Sequence, residues 1–220
     1  MVDFTGRVLV LGASGATGRI VLSSLQAKGI HARAFVRSPQ KARGLQSPTT
    51  EIFVADILDS ATLREAMDGC TAVISVIGTR SMSDRRVIEE TEHALLVRAI
   101  NTAKEAGIHH FILCSSMGTQ QPERIPPLAH ILRAKHKAEE ALISSGLTYT
   151  IIHPGGLTDD PGGQSILVFP HPLPTDGMIP RADLAEVLVQ ALIQPEAANK
   201  SVDVIIWPDQ GPATRPHLFA

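Results

Sequence analysis

The amino-acid sequence predicts an α/β fold: a doubly wound, mostly parallel sheet in a single domain spanning residues 1–220. Three observations carry this. Short β-branched runs alternate with longer stretches of helical periodicity along the chain. The runs lack polar alternation, as expected of strands covered on both faces. A glycine-punctuated turn, Gly12-Ala13-Ser14-Gly15-Ala16-Thr17-Gly18, stands between the first run and the first helical stretch.

Residues 8–11 form the first predicted strand. Ile20, Val21 and Leu25 recur at helical spacing over 19–28, and Gly29 ends that helix. Residues 31–36 and 51–55 read as strands two and three, 60–67 as a helix, and 72–77 as strand four. One long helix is expected over 86–105, stopped by Gly107. Strand five follows at 110–114, a helix at 129–145 ended by Gly146, and strand six at 149–153. Prolines and glycines then crowd 155–177, which predicts loop. Because it leaves the carboxyl end of strand six, the segment 154–181 is expected to line a substrate pocket. A helix over 182–193, a strand over 202–206 and an irregular tail from Pro208 complete the reading.

Composition narrows the function. Of 220 residues, 44% are hydrophobic and 19% charged, which argues for a packed core over disorder. A net charge of −2 gives no global attraction to nucleic acid, and no nucleic-acid partner is expected. No apolar run approaches the roughly 20 residues of a membrane span. No secretory leader is legible either, so a cytoplasmic location without membrane attachment is expected. The two cysteines, Cys70 and Cys114, sit beside apolar runs and read as buried free thiols. A monomer acting on a small molecule is the expected working form.

The glycine turn carries the chemistry. Gly12 permits a tight exit from the strand, Gly15 lets the backbone approach a diphosphate, and Gly18 lets helix pack closely on strand. Amides at the helix start, from Ser14 through Ala16 and Thr17, then face negative charge. About 20 residues beyond such a turn, an acidic side chain would accept hydrogen bonds from a ribose 2′-hydroxyl. This chain has Arg37-Ser38 there. A guanidinium forks onto a 2′-phosphate, with the serine hydroxyl donating beside it, so NADP(H) is the expected cofactor.

The turn, Asp56 after strand three, and Ser144-Ser-Gly-Leu-Thr-Tyr-Thr-Ile-Ile-His-Pro-Gly-Gly-Leu157 resemble the atypical short-chain dehydrogenase/reductases, in their NmrA-like branch. The likeness covers essentially the whole chain. Val76-Ile-Gly-Thr-Arg80, Cys114-Ser-Ser116, Ile125-Pro-Pro127 and Ile179-Pro-Arg-Ala-Asp-Leu184 are similar to the flavin- and biliverdin-reducing members. The resemblance implies that Asp56 and Ile57 flank the adenine and that Ile77 and Gly78 pass under the cofactor. It implies that Arg80 clamps the phosphates and that Ser115 and Ser116 lie beside the nicotinamide. Thr79, Pro154 and Gly155 complete the implied cofactor set. Where those reductases carry a histidine after strand six, this chain has Gly155-Gly156, and His153 is not given that role.

Ordinary members of the superfamily use a Tyr-x-x-x-Lys pair as acid and base. Here Ile131 stands four residues before Lys135, and the single tyrosine, Tyr149, lies in strand six. Lys135 therefore reads as a solvated helix residue, and simple carbonyl reduction is disfavoured. A flavin or linear tetrapyrrole accepts hydride into its conjugated system, so the protein needs mainly to stack it against the nicotinamide. Ser116 is the candidate catalytic residue, orienting the nicotinamide or a proton-relay water. Among nine histidines, neither His109-His110 nor His130 with His136 has ligand spacing, so no metal is expected. Two other functions fit the turn: a non-catalytic NADP(H) sensor of the NmrA-like type, and a nucleotide-sugar epimerase, the latter disfavoured by the missing pair.

Overall fold

The computed structural model describes residues 4–172, 176–207 and 218–219. It contains an eight-stranded sheet. Six strands follow the chain order anticipated above: β1 (Arg7–Leu11), β2 (His31–Val36), β3 (Thr50–Val54), β4 (Ala72–Ser75), β5 (His110–Cys114) and β6 (Thr148–Pro154). A two-stranded ribbon pairs β7 (Gly156–Thr158) with β9 (Met178–Pro180), while β8 (Ile166–Pro170) and β10 (Lys200–Ile206) join the main sheet. The main order is β3-β2-β1-β4-β5-β6-β10-β8. All neighbours are parallel except β8, which runs antiparallel to β10 on the edge. This is the Rossmann-type doubly wound fold, and the order reverses between β1 and β4, the crevice where such sheets hold ligands.

Helices cover both faces. Helices α1 (Ala16–Ala27) and α6 (Arg181–Ile193) pack on one side, over Val8, Val10, Ala34 and Ile152. On the other side lie α2 (Ser60–Met67), α3 (Arg85–Glu89), α4 (Leu95–Glu105) and α5 (Ala129–Ser144), with Leu9, Leu11, Val73, Phe111 and Ile151 beneath α2, α4 and α5. Each fully buried leucine or phenylalanine stabilises by about 1.5–3 kcal/mol, which is why the strands tolerate no polar alternation. Arg33 is the exception in β2. Its guanidinium donates to the carbonyls of Glu65, Ala66 and Asp68 at the end of α2 and so caps that helix from the sheet.

Two expectations need correction. The long helix over 86–105 is interrupted by a π-helical turn at Glu90–Ala94, between α3 and α4. One extra residue per turn swings Glu92 inward, where it is buried. The segment 155–177, expected as loop, contributes β7 and β8 and leads into β9. Backbone pairing satisfies its amides there, and period-two patterning was masked by the flanking prolines. Residues 173–175 and the tail from Pro208 to 217 lie outside the described residues.

Candidate functional site

The crevice begins at the glycine turn. Gly15 donates to the Gly12 carbonyl at 3.0 Å and is the N-cap of α1. Among the described residues no side chain caps that helix, and its first turn has no acidic residue. Its leading amides are left to satisfy an external anion. The glycines are sterically enforced: a Cβ on Gly12, at φ +82°, would meet the Val76 carbonyl at 2.8 Å, and one on Gly18 would meet the Gly12 oxygen at 2.3 Å. A dinucleotide diphosphate fits this cradle.

Arg37 and Ser38 leave β2 beside the turn, the arginine exposed and the serine half-buried. A charge-assisted hydrogen bond contributes roughly 1.5–3 kcal/mol. Arg37→Ala is therefore expected to weaken NADPH by about 10- to 100-fold and NADH little, as titration calorimetry with each would report. Asp56 follows β3, exposed, with Oδ1 accepting from the Leu58 amide at 3.0 Å. Ile57 is buried in the core.

After β4 the chain passes Ile77, partly buried, then exposed Gly78, half-buried Thr79 and exposed Arg80. The Thr79 amide donates to Glu92 Oε1 at 2.5 Å. Lys135 Nζ lies 2.8 Å from Glu92 Oε2, and both side chains are nearly inaccessible. The expectation of a solvated Lys135 is thus corrected. Burial disfavours its charge, but the adjacent Glu92 carboxylate outweighs that and raises its pKa above the ordinary lysine value. The ammonium neutralises a buried carboxylate that holds the Gly78-Thr79 segment, a tie that sequence spacing did not reveal. Cys114, beside Lys135, is a free thiol that burial pushes up to about 11 and so keeps protonated.

Ser115 and Ser116 follow β5. Ser116 is half-buried and its hydroxyl donates to the Met117 carbonyl at 3.1 Å. Ser115 is buried and donates to Glu139 of α5, whose second oxygen accepts from Thr119 at 3.1 Å. His153 Nε2, in β6, lies 3.1 Å from Glu139 Oε1, and its Nδ1 lies 3.2 Å from the Val202 carbonyl. Burial alone would raise Glu139, but the His153 contact and charge, with Ser115 and Thr119, hold it at about 2. His171, just past β8, stacks on His153 with centroids 3.7 Å apart, and its Nδ1 contacts both Asp203 oxygens at 2.9 and 3.0 Å. Beside this cluster is a cavity of about 250 Å³, lined among others by Met117, Gln121, Arg124, Ile125, His171 and Asp203. Pro154 ends β6 and Gly155 follows it. The Gly155 amide donates to Val204, and a Cβ there would meet the Gly177 oxygen at 2.2 Å.

Sequence reasoning missed Glu139, His153, His171 and Asp203 as a group. Each sits on a different element, so no local spacing exists to find. One signal was available: a carboxylate inside the apolar run Val202-Asp203-Val204-Ile205-Ile206 is buried at a cost unless partnered. The expectation of no metal weighed local spacing only. Glu139, His153 and His171 offer donor atoms within 4.8 Å of one another.

Fold and crevice together define a nicotinamide-nucleotide-binding protein of the oxidoreductase type. The chain belongs to the NAD(P)H-binding family, which it matches over residues 12–195, and NADP(H), the cofactor expected from the turn, is a ligand of that class. It is 34% identical to sanguinarine reductase of Eschscholzia californica, across 94% of this chain and 92% of that one. A solved Bacillus halodurans protein named for the NAD-dependent epimerase/dehydratases superposes with a TM-score of 0.87 at 30% identity, covering 94% and 96% of the two chains. ChuY, an anaerobilin reductase from Escherichia coli O157:H7, superposes with a TM-score of 0.79 at 25% identity, covering 94% and 100%.

Proposed function

We propose that this protein is an NADPH-dependent reductase that transfers hydride to a flat conjugated acceptor, a free flavin or a linear tetrapyrrole. The carrying observation is the cavity lined by Met117 and Gly118, which follow Ser115 and Ser116 after β5; it is partly apolar through Met117 and Ile125 and bordered by Gln121 and Arg124. It suits a planar acceptor with polar edges. The lysine that would pair with a catalytic phenol is instead held in the buried ion pair with Glu92. Sanguinarine reductase and an anaerobilin reductase among the relatives support reduction of large conjugated molecules.

In this reading the α1 amides hold the diphosphate and Arg37 selects the 2′-phosphate. The Glu92–Lys135 pair fixes Gly78-Thr79 under the nucleotide, and Ser116 orients the nicotinamide. NADPH supplies the hydride when bound. Following NADPH oxidation with FMN and then with a bilin, against an NADH control, tests it. Turnover preferring NADPH is expected. Tight NADPH binding without oxidation by any flavin, bilin or other conjugated acceptor would make the protein a nucleotide sensor instead.

A further inference from the structure

We infer that His171, held by Asp203, donates the proton that a neutral acceptor needs once it has received hydride. The inference deepens the reductase reading and names a replacement for the missing phenol. Both residues line the cavity. The two Asp203 oxygens at 2.9 and 3.0 Å place a hydrogen on His171 Nδ1. Nε2 lies 3.5 Å from Thr119 Oγ1, whose own hydrogen goes to Glu139 at 3.1 Å. Thr119 therefore presents a lone pair to His171, and the arrangement is complete only when Nε2 also carries a hydrogen. That hydrogen is the one available to a ligand in the cavity.

Titratable and charged groups surround the His171 ring. His153 lies face to face with His171, with ring planes 4° apart. Its Nδ1 lies 3.2 Å from the Val202 carbonyl and its Nε2 3.1 Å from Glu139 Oε1. Asp203 of β10 faces His171, and Glu139 of α5 faces His153. His136, also of α5, lies 3.5 Å from Glu139, and Asp176 and Arg124 border the cavity. The same stacking argues against a metal at Glu139, His153 and His171. Imidazole lone pairs lie in the ring plane, so those of parallel rings run side by side and do not converge on one ion.

In the step proposed, hydride from NADPH adds to carbon and the π pair moves to the acceptor's oxygen or nitrogen. That atom takes the hydrogen from His171 Nε2, leaving a neutral ring with Nδ1–H on Asp203, and cavity water restores the proton. A cationic iminium acceptor becomes neutral on hydride transfer alone and needs no donor.

The test compares phenanthrenequinone with N-methylphenanthridinium in the full-length protein, His171→Asn, His171→Gln and Asp203→Asn, with NADPH affinity checked by calorimetry. The kcat/KM ratio of quinone to iminium is expected to fall by about 100-fold in the His171 variants, in the range of a general acid. Independently of turnover, nitrogen NMR should show neutral His171 as the Nδ1–H tautomer, with that hydrogen shifted far downfield only while Asp203 is present. Equal losses with both acceptors, or an Nε2–H neutral tautomer, would overturn the acid role while leaving the reductase standing. So would one-to-one Zn²⁺ binding that Glu139→Gln abolishes. No oxidation of NADPH by these two acceptors, by a flavin or by a bilin in the unmodified protein sinks both.

Discussion

Gly18→Ala is expected to abolish measurable NADPH binding and to lower the melting temperature by about 6–12 °C. The added methyl would sit 2.3 Å from the Gly12 oxygen and 2.8 and 2.9 Å from the Cα and carbonyl carbon of Ala13. All three are backbone atoms of the turn itself, so no side chain can swing away. Relief requires α1 to lift off β1 or the turn to open. Overpacking of this kind costs about 3 kcal/mol, and in a domain of this size each kcal/mol moves the midpoint by roughly 2–4 °C. Either movement also displaces the α1 amides from the diphosphate. Calorimetric titration and thermal scanning read the two effects. An alanine variant binding within threefold of the unmodified protein would show that the turn is not the diphosphate cradle.

Glu139→Gln has the next largest expected effect, and its signature is in pH. The carboxylate titrates at about 2 in the folded protein against an ordinary 4.5. A carboxyl depressed on folding stabilises fully above its ordinary value, and that contribution is lost as pH falls toward the folded value. The gap corresponds to about 3 kcal/mol, undiminished by solvent because the side chain is buried. Stability of the unmodified protein should therefore fall between about pH 5 and pH 2, and the glutamine variant should lack that component. His110 adds a separate loss. Burial holds it at about 4 against 6.5, so the unfolded chain binds its proton first, and stability declines below about pH 6.5. Subtracting the variant's denaturation profile from that of the unmodified protein isolates the carboxylate. Identical slopes below pH 5 would mean Glu139 is not held ionised by the cluster.

The arrangement around Glu139 also shows where local reading stops. The six parallel strands and the glycine turn were legible because each announces itself within a few residues: an apolar run, a helical period, a glycine where a side chain cannot fit. Arg37 was legible for the same reason, since its distance from the turn is a property of one βαβ unit. The π-helical turn at Glu90–Ala94 was not, because its extra residue is accommodated by packing against α5 and leaves no mark on the periodicity. Lys135 was misread as solvated because nothing near it in the chain supplies its partner. Glu92 stands on another helix, turned inward by that same π distortion.

By itself the chain determined a doubly wound sheet, a glycine turn opening the first helix and a basic residue at the tip of β2, all consequences of short-range sterics and periodicity. Only the tertiary structure decided that β8 returns antiparallel at the sheet edge. It alone decided, too, that Glu139, His153, His171 and Asp203, drawn from a helix, two strands and the segment after β8, share one buried cluster. Contacts between elements far apart in sequence depend on how the sheet twists and which helices cover it, and no local pattern of residue types encodes that.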